Sequence, residues 1–107
     1  MLSKILWPRN SAVVSSPLGS LSPLQALNLA NIYLENACNT NDPAVTLVLC
    51  HDTEVSLARA KKAAKQTANQ AVLERVAVSY ISLGKLLERQ GHSNGAQASY
   101  KKAEKLG

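Results

Sequence analysis

A glycine set in the middle of an apolar helical face is the tightest constraint in these 107 residues. Gly84 lies within the stretch Tyr80–Leu106, YISLGKLLERQGHSNGAQASYKKAEKL, where Tyr80, Leu83 and Leu87 recur at three- and four-residue steps. That spacing places the three side chains on one side of a helix. Glycine in a helix interior costs about 1 kcal/mol relative to alanine, so position 84 calls for a compensating contact. The contact expected is a second backbone lying too close to admit a Cβ. Gly91 then has the place of a left-handed residue just past the helix end, with Arg89 complementing the last carbonyls. Ala96, Tyr100 and Ala103 give the next helix a small–large–small face. Two antiparallel helices with these faces can interlock at short range.

Tyr80, Leu83, Gly84, Gly91, Ala96, Tyr100 and Ala103 together resemble the signature of a tetratricopeptide repeat, a helix–turn–helix of about 34 residues. The likeness is clearest over residues 77–107. Leu87 stands where the family often has an aromatic, and the proline that usually closes a repeat is absent. The resemblance implies an all-α chain of about four helices, antiparallel hairpins stacked as a right-handed array. It also implies a non-catalytic scaffold that binds another protein. Part of the register is similar, in addition, to helical segments of fungal NTPase-linked repeat proteins.

The rest of the chain carries its own punctuation. Ser22-Pro23-Leu24-Gln25 is a capping box with proline in the first turn, opening a helix to about Cys38. Its expected buried face is Leu24, Leu27, Ala30, Tyr33 or Leu34, and Ala37. Asn39-Thr40-Asn41-Asp42 breaks that helix, and Asp42-Pro43 starts another through AVTLVLC. A buried strand over residues 44–50 is the competing reading, disfavoured because a lone strand leaves its backbone unpaired. His51-Asp52-Thr53 is either a second cap or a polar interruption of one long helix ending at Gln66. Thr67-Ala68-Asn69-Gln70 reads as a further capping box, opening a helix from about Ala68 to Gln90 with a seam of Leu73, Val76, Ala77, Tyr80, Gly84 and Leu87. The last helix is expected from Asn94 or Gly95, with Asn94 and Gln97 as its capping pair.

A shift of 40 residues lays Ala58, Lys61, Lys62, Ala63 and Lys65 on Ala98, Lys101, Lys102, Ala103 and Lys105. Leu29-Ala30 likewise answers Leu83-Gly84. The domain is therefore read as 22–107, a degenerate hairpin over 22–66 and a clearer one over 67–107. Stacked repeats need roughly three units for independent stability, so two imply a dimer or continuation into further repeats. Residues 1–21 have no acidic residue and two cations, Lys4 and Arg9. They read as a flexible or loosely docked segment, with Trp7 either an anchor against the helices or part of an interface. Mitochondrial targeting is the minor alternative to a cytoplasmic, intracellular chain.

The composition argues against several chemistries. Aromatics are 4% of residues and phenylalanine is absent, so a core must come from Leu, Val, Ile and Ala. No apolar run reaches the roughly 18 residues of a membrane span. Cys38 and Cys50 are too few for a disulfide framework and read as two buried thiols. No glycine-rich phosphate loop or metalloprotease, redox or nucleophile-elbow motif occurs. Cys50 and His51 are sequence neighbours, pointing about 100° apart on a helix, and Cys38, Cys50, His51 and Asp52 match no zinc spacing. Neither a catalytic residue, a metal site nor a cofactor is expected.

In tetratricopeptide proteins the first helices of successive repeats line a groove. By register the resemblance assigns Leu24, Leu27, Asn31 and Glu35, then Val78, Ile81, Lys85, Glu88 and Arg89, to that face. Asn31 fits the family's carboxylate clamp, but Leu27 and Ser82 stand where its lysine and second asparagine would be. A mixed apolar and charged groove suits a peptide or helix of another protein. The alternatives are a helical spacer within a larger signalling or NTPase protein, or a basic surface domain. Lys61, Lys62, Lys65, Lys101, Lys102 and Lys105 would supply that basic patch in a chain of net charge +5. Lacking interleaved aromatics or arginines, they make nucleic acid an unlikely partner.

Overall fold

The computed structural model describes residues 22–106. Among them the chain forms four helices and no strand: α1 (Pro23–Asn39), α2 (Pro43–Gln66), α3 (Gln70–Arg89) and α4 (Ser93–Leu106). The all-α class therefore stands as expected. The N-terminal segment, with its expected Trp7 anchor and targeting alternatives, lies outside the described residues, as does Gly107.

Local hydrogen bonds explain where the first two helices begin. The Gln25 amide donates to Ser22 Oγ at 3.1 Å while the Ser22 amide donates to Gln25 Oε1 at 3.0 Å, closing the capping box in both directions. Asp42 Oδ1 accepts from the Ala44 amide at 2.9 Å, with Pro43 needing no partner at the first position. The β-branched run after it is helix, so the strand alternative is excluded. His51-Asp52-Thr53 interrupts nothing: Thr53 is fully buried and its hydroxyl donates back to the Leu49 carbonyl at 2.7 Å. Thr46 does the same to Asp42 at 3.0 Å. A threonine satisfied inside its own helix is not available as a cap.

Two start signals read from the sequence are corrected. Thr67 does not open α3. Its hydroxyl donates back to the Ala63 carbonyl at 2.9 Å, ending α2, and Asn69 caps α3 by accepting from the Val72 amide at 3.2 Å. Asn94 and Gln97 do not form a cap either, because α4 already includes Ser93 and the Ala96 amide donates to the His92 carbonyl. In both cases a polar residue competent to cap was outranked by a turn closed from the preceding helix.

Those two turns share one geometry. After α2, the Asn69 amide reaches the Ala64 carbonyl at 2.8 Å and the Ala68 amide the Lys65 carbonyl at 3.3 Å. After α3, the His92 amide reaches Leu87 at 2.9 Å and the Gly91 amide reaches Glu88 at 3.0 Å. Each pair is a Schellman closure, which needs a left-handed residue in the middle. Gly91 adopts it at φ 82°, where it costs little; Ala68 adopts it at φ 53°, against its own Cβ.

The three-residue connections fold the chain into two antiparallel hairpins, α1 with α2 and α3 with α4. The third helix packs against both members of the first pair. One core runs through all four helices, with Leu27, Leu57, Val76, Tyr80 and Leu83 at its centre. Its α1 contribution is Ala26, Leu27, Ala30, Leu34 and Ala37, so Leu34 and not Tyr33 fills the expected position, and Leu24 is exposed. Gly84 is buried against α4 as anticipated, but what excludes its Cβ is not backbone. An added Cβ would lie 2.6 Å from Tyr100 Cε1 and 2.9 Å from Cδ1, too close to the ring of that tyrosine.

Replacing Ala68 with glycine removes the left-handed penalty at an exposed turn without touching the core. Ala68→Gly should stabilise the fold by about 0.5–1 kcal/mol, the strain relieved minus the added freedom of the unfolded chain. A rise in the thermal midpoint by a few degrees, roughly the shift expected for a domain this size, is the outcome to look for. A fall would show that Ala68 is not held at positive φ.

Candidate functional site

The α1–α3 contact decides which side chains can form the expected groove. Ser79 Oγ donates to Asn31 Oδ1 at 2.8 Å, joining the two helices across the hairpins. Asn31 is thereby engaged inside the fold and only partly open. Leu24 and Glu35 on α1, and Val78 and Lys85 on α3, stand exposed. Val78, at 62% exposure, is the most open large apolar side chain of this set.

Several residues assigned to the groove are placed elsewhere. Leu27 has no exposed surface and belongs to the core. Ile81, 39% exposed, lines a different depression, between α3 and α4 on the side turned away from the first hairpin. Glu88 is exposed and accepts a hydrogen bond from the Tyr100 hydroxyl, so it too faces α4. Arg89 ends α3, exposed in its last turn. The remaining residues of the predicted face are Leu24, Asn31, Glu35, Val78 and Lys85.

The lysines do not form one free patch. Lys102 Nζ pairs with Glu54 Oε2 at 2.7 Å and sits 5.7 Å from the centre of the Tyr80 ring. It ties α4 to α2 over an aromatic of α3, a contact of modest value because both charged groups are about 40% exposed. Lys62, Lys65, Lys101 and Lys105 are exposed, and Lys61 is half-buried.

A cleft of about 330 Å³ lies among α2, α3 and α4, lined by Cys50, His51, Glu54, Leu83 and His92 among others. Its chemistry is set by Cys50. Burial pushes that thiol above its ordinary 9.0, and the nearby Cys38 and Glu54 add to the shift. A nucleophilic cysteine needs the opposite, a thiolate favoured near neutral pH. Burial also raises the Tyr80 hydroxyl, with Glu54 contributing. Among the described residues no group of three or more His, Cys, Asp or Glu side chains is placed to hold a metal ion, and no helix is long and apolar enough to cross a membrane.

The depression beside Ile81 escaped the sequence reading. Its walls are Ala77, Ile81, Tyr100 and Ala103, with Glu104 at the edge, enclosing about 430 Å³. Ala77 and Ala103 read as seam residues in the sequence, and they do pack inward. The signal that was present is their combination with Tyr100, which covers Gly84 and leaves its other side open. No family model, curated protein or solved structure matches the chain.

The two cysteines differ from the expected pair of buried thiols: Cys38 is exposed at the end of α1 and only Cys50 is buried. In the native protein a thiol reagent such as iodoacetamide should modify Cys38 rapidly and Cys50 only after denaturation, because the buried thiol is both shielded and held protonated. Mass mapping of the labelled sites checks this. Equal labelling of the two would contradict the placement of Cys50 in the core.

Proposed function

We propose that this chain is a non-catalytic, tetratricopeptide-like interaction module that binds a peptide or helix of another protein along the face shared by α1 and α3. The Asn31–Ser79 hydrogen bond carries the reading. It holds two helices from different hairpins side by side, and on those helices apolar Leu24 and Val78 and charged Glu35 and Lys85 are exposed. Such a composition suits an amphipathic segment, with apolar anchors giving affinity and the charges setting orientation.

The packing inside the second hairpin supports the family reading. Tyr80, Leu83, Gly84, Ala96 and Ala103 are buried together, and Tyr100 lies over Gly84. The high pKa of the Cys50 thiol favours a binding rather than a catalytic role for the cleft it lines. A carboxylate clamp is disfavoured, since Asn31 already accepts a hydrogen bond from Ser79 and Leu27 is closed off.

Peptide display against the folded protein tests the proposal. Binders selected on the wild-type chain should lose at least about tenfold in affinity, roughly 1.4 kcal/mol, on Val78→Glu and on Leu24→Glu. Both side chains are exposed, so the thermal midpoint should hardly move. Binders indifferent to both substitutions, or a failure to select any, would count against a groove on this face.

A further inference from the structure

Among the described glycines, only Gly95 has no packing or turn that requires it. Gly84 makes room for Tyr100 and Gly91 supplies a left-handed turn, but Gly95 has no positive φ. A Cβ built there would lie 3.4 Å from Leu87 Cδ1, an ordinary van der Waals contact. What the residue does is give Asn94 an unhindered neighbour. Asn94 is exposed, and it is the only asparagine in the chain followed by glycine. The pair falls in the first turn of α4, where backbone amides have no carbonyl a turn earlier to bond. Ala96 is the first residue of the helix whose amide finds one, at His92, 3.0 Å away. Ser22, Asp42 and Asn69 cap the other three helices, whereas among the described residues no side chain accepts from the amides of Ser93, Asn94 or Gly95. The Gly95 nitrogen is therefore both unengaged and uncrowded beside the Asn94 carboxamide.

We propose that Asn94-Gly95 is a site of spontaneous deamidation, needing only water, and that its isoaspartate product unseats the first turn of α4. Opening of that turn is the gate, and the turn holds a glycine and no acidic residue to steady it. The Gly95 amide then gives its proton to solvent and its nitrogen attacks Asn94 Cγ. A Cγ–N bond forms, the Cγ–Nδ2 bond breaks, and ammonia leaves with a proton taken from solvent, closing a five-membered succinimide. Water adds to one of the two ring carbonyls. Opening at Cγ gives aspartate, while opening at the Asn94 main-chain carbonyl gives isoaspartate, with the backbone routed through the former side chain. Water is consumed, ammonia is released, and nothing is oxidised or reduced. The products act differently on the fold. Aspartate in the first turn meets the positive end of the helix dipole and is favourable there. Isoaspartate inserts a methylene group into the main chain between the Gly91 turn and Gly95. That moves Gly95 out of register with Leu87, with which it lines the cleft at Cys50.

Peptide mapping of the full-length native protein after incubation at mildly alkaline pH, with aspartyl and isoaspartyl forms separated, reads the reaction. Asn94 should convert faster as pH rises, since the nucleophile is the deprotonated amide, and mostly to isoaspartate. It should run well ahead of Asn36, Asn39 and Asn41, which are also exposed but precede Ala37, Thr40 and Asp42. Gly95→Ala should slow the conversion by about fivefold or more, because alanine favours the closed turn and crowds the nitrogen. The purified isoaspartate form should melt below the starting protein, and Asn94→Asp should not. Three results would overturn the proposal. One is an Asn94 that keeps its amide in the native protein while the urea-unfolded chain converts fully. The others are conversion no faster than at Asn36, Asn39 and Asn41, and an isoaspartate form as stable as the starting protein.

Discussion

The ring of Tyr100 lying on the bare backbone of Gly84 is the contact on which the arrangement of the second hairpin depends. It explains a glycine that helix propensity alone would reject. Without a Cβ at position 84 the aromatic can pack directly against α3, and α4 can approach closely enough to bury Ala96 and Ala103. The same placement sets the Tyr100 hydroxyl against Glu88 and leaves one side of the ring as a wall of the depression beside Ile81. Packing, a polar tie and an open surface all follow from one missing methyl group.

From that hairpin the rest is assembled by α3, the one helix that packs against each of the other three. Tyr80 is buried at the middle of it, beneath the Glu54–Lys102 pair that links α2 to α4. The matching turns after α2 and α3 keep successive helices antiparallel with only three residues between them. Burial repeats in the second members of the hairpins: Leu57, Ala60 and Ala64 on α2 answer Ala96, Ser99 and Ala103 on α4, one residue away from the register suggested by the lysine and alanine identities. The identical residues are therefore mostly outer-face positions, and the packing positions repeat in size and spacing more than in identity.

Much of this was legible in the sequence because it is local. The Ser22 capping box, the proline starts, Gly91 and the three- and four-residue spacing of small and large residues all act within a few positions of themselves. What was not legible required knowing a neighbour. Thr67 and Asn69 are both competent caps, and the choice between them depends on how α2 closes. Leu27 and Leu24 lie on adjacent flanks of α1, and only the placement of the neighbouring helices decides which is covered. Ile81 and Val78 are both open, yet they face different surfaces. A stripe of side chains is local, while its partner is not.

A double-mutant cycle at positions 84 and 100 measures the central contact most directly. Gly84→Ala alone should destabilise the protein by about 1 kcal/mol or more, since the new methyl group must displace a packed ring. In the Tyr100→Ala background the same change meets open space and should stabilise by up to about 1 kcal/mol, the ordinary helix preference of alanine over glycine. The account predicts that reversal of sign in chemical denaturation. Additive effects, agreeing within about 0.5 kcal/mol in the two backgrounds, would contradict it and leave the position of Tyr100 over Gly84 without energetic meaning.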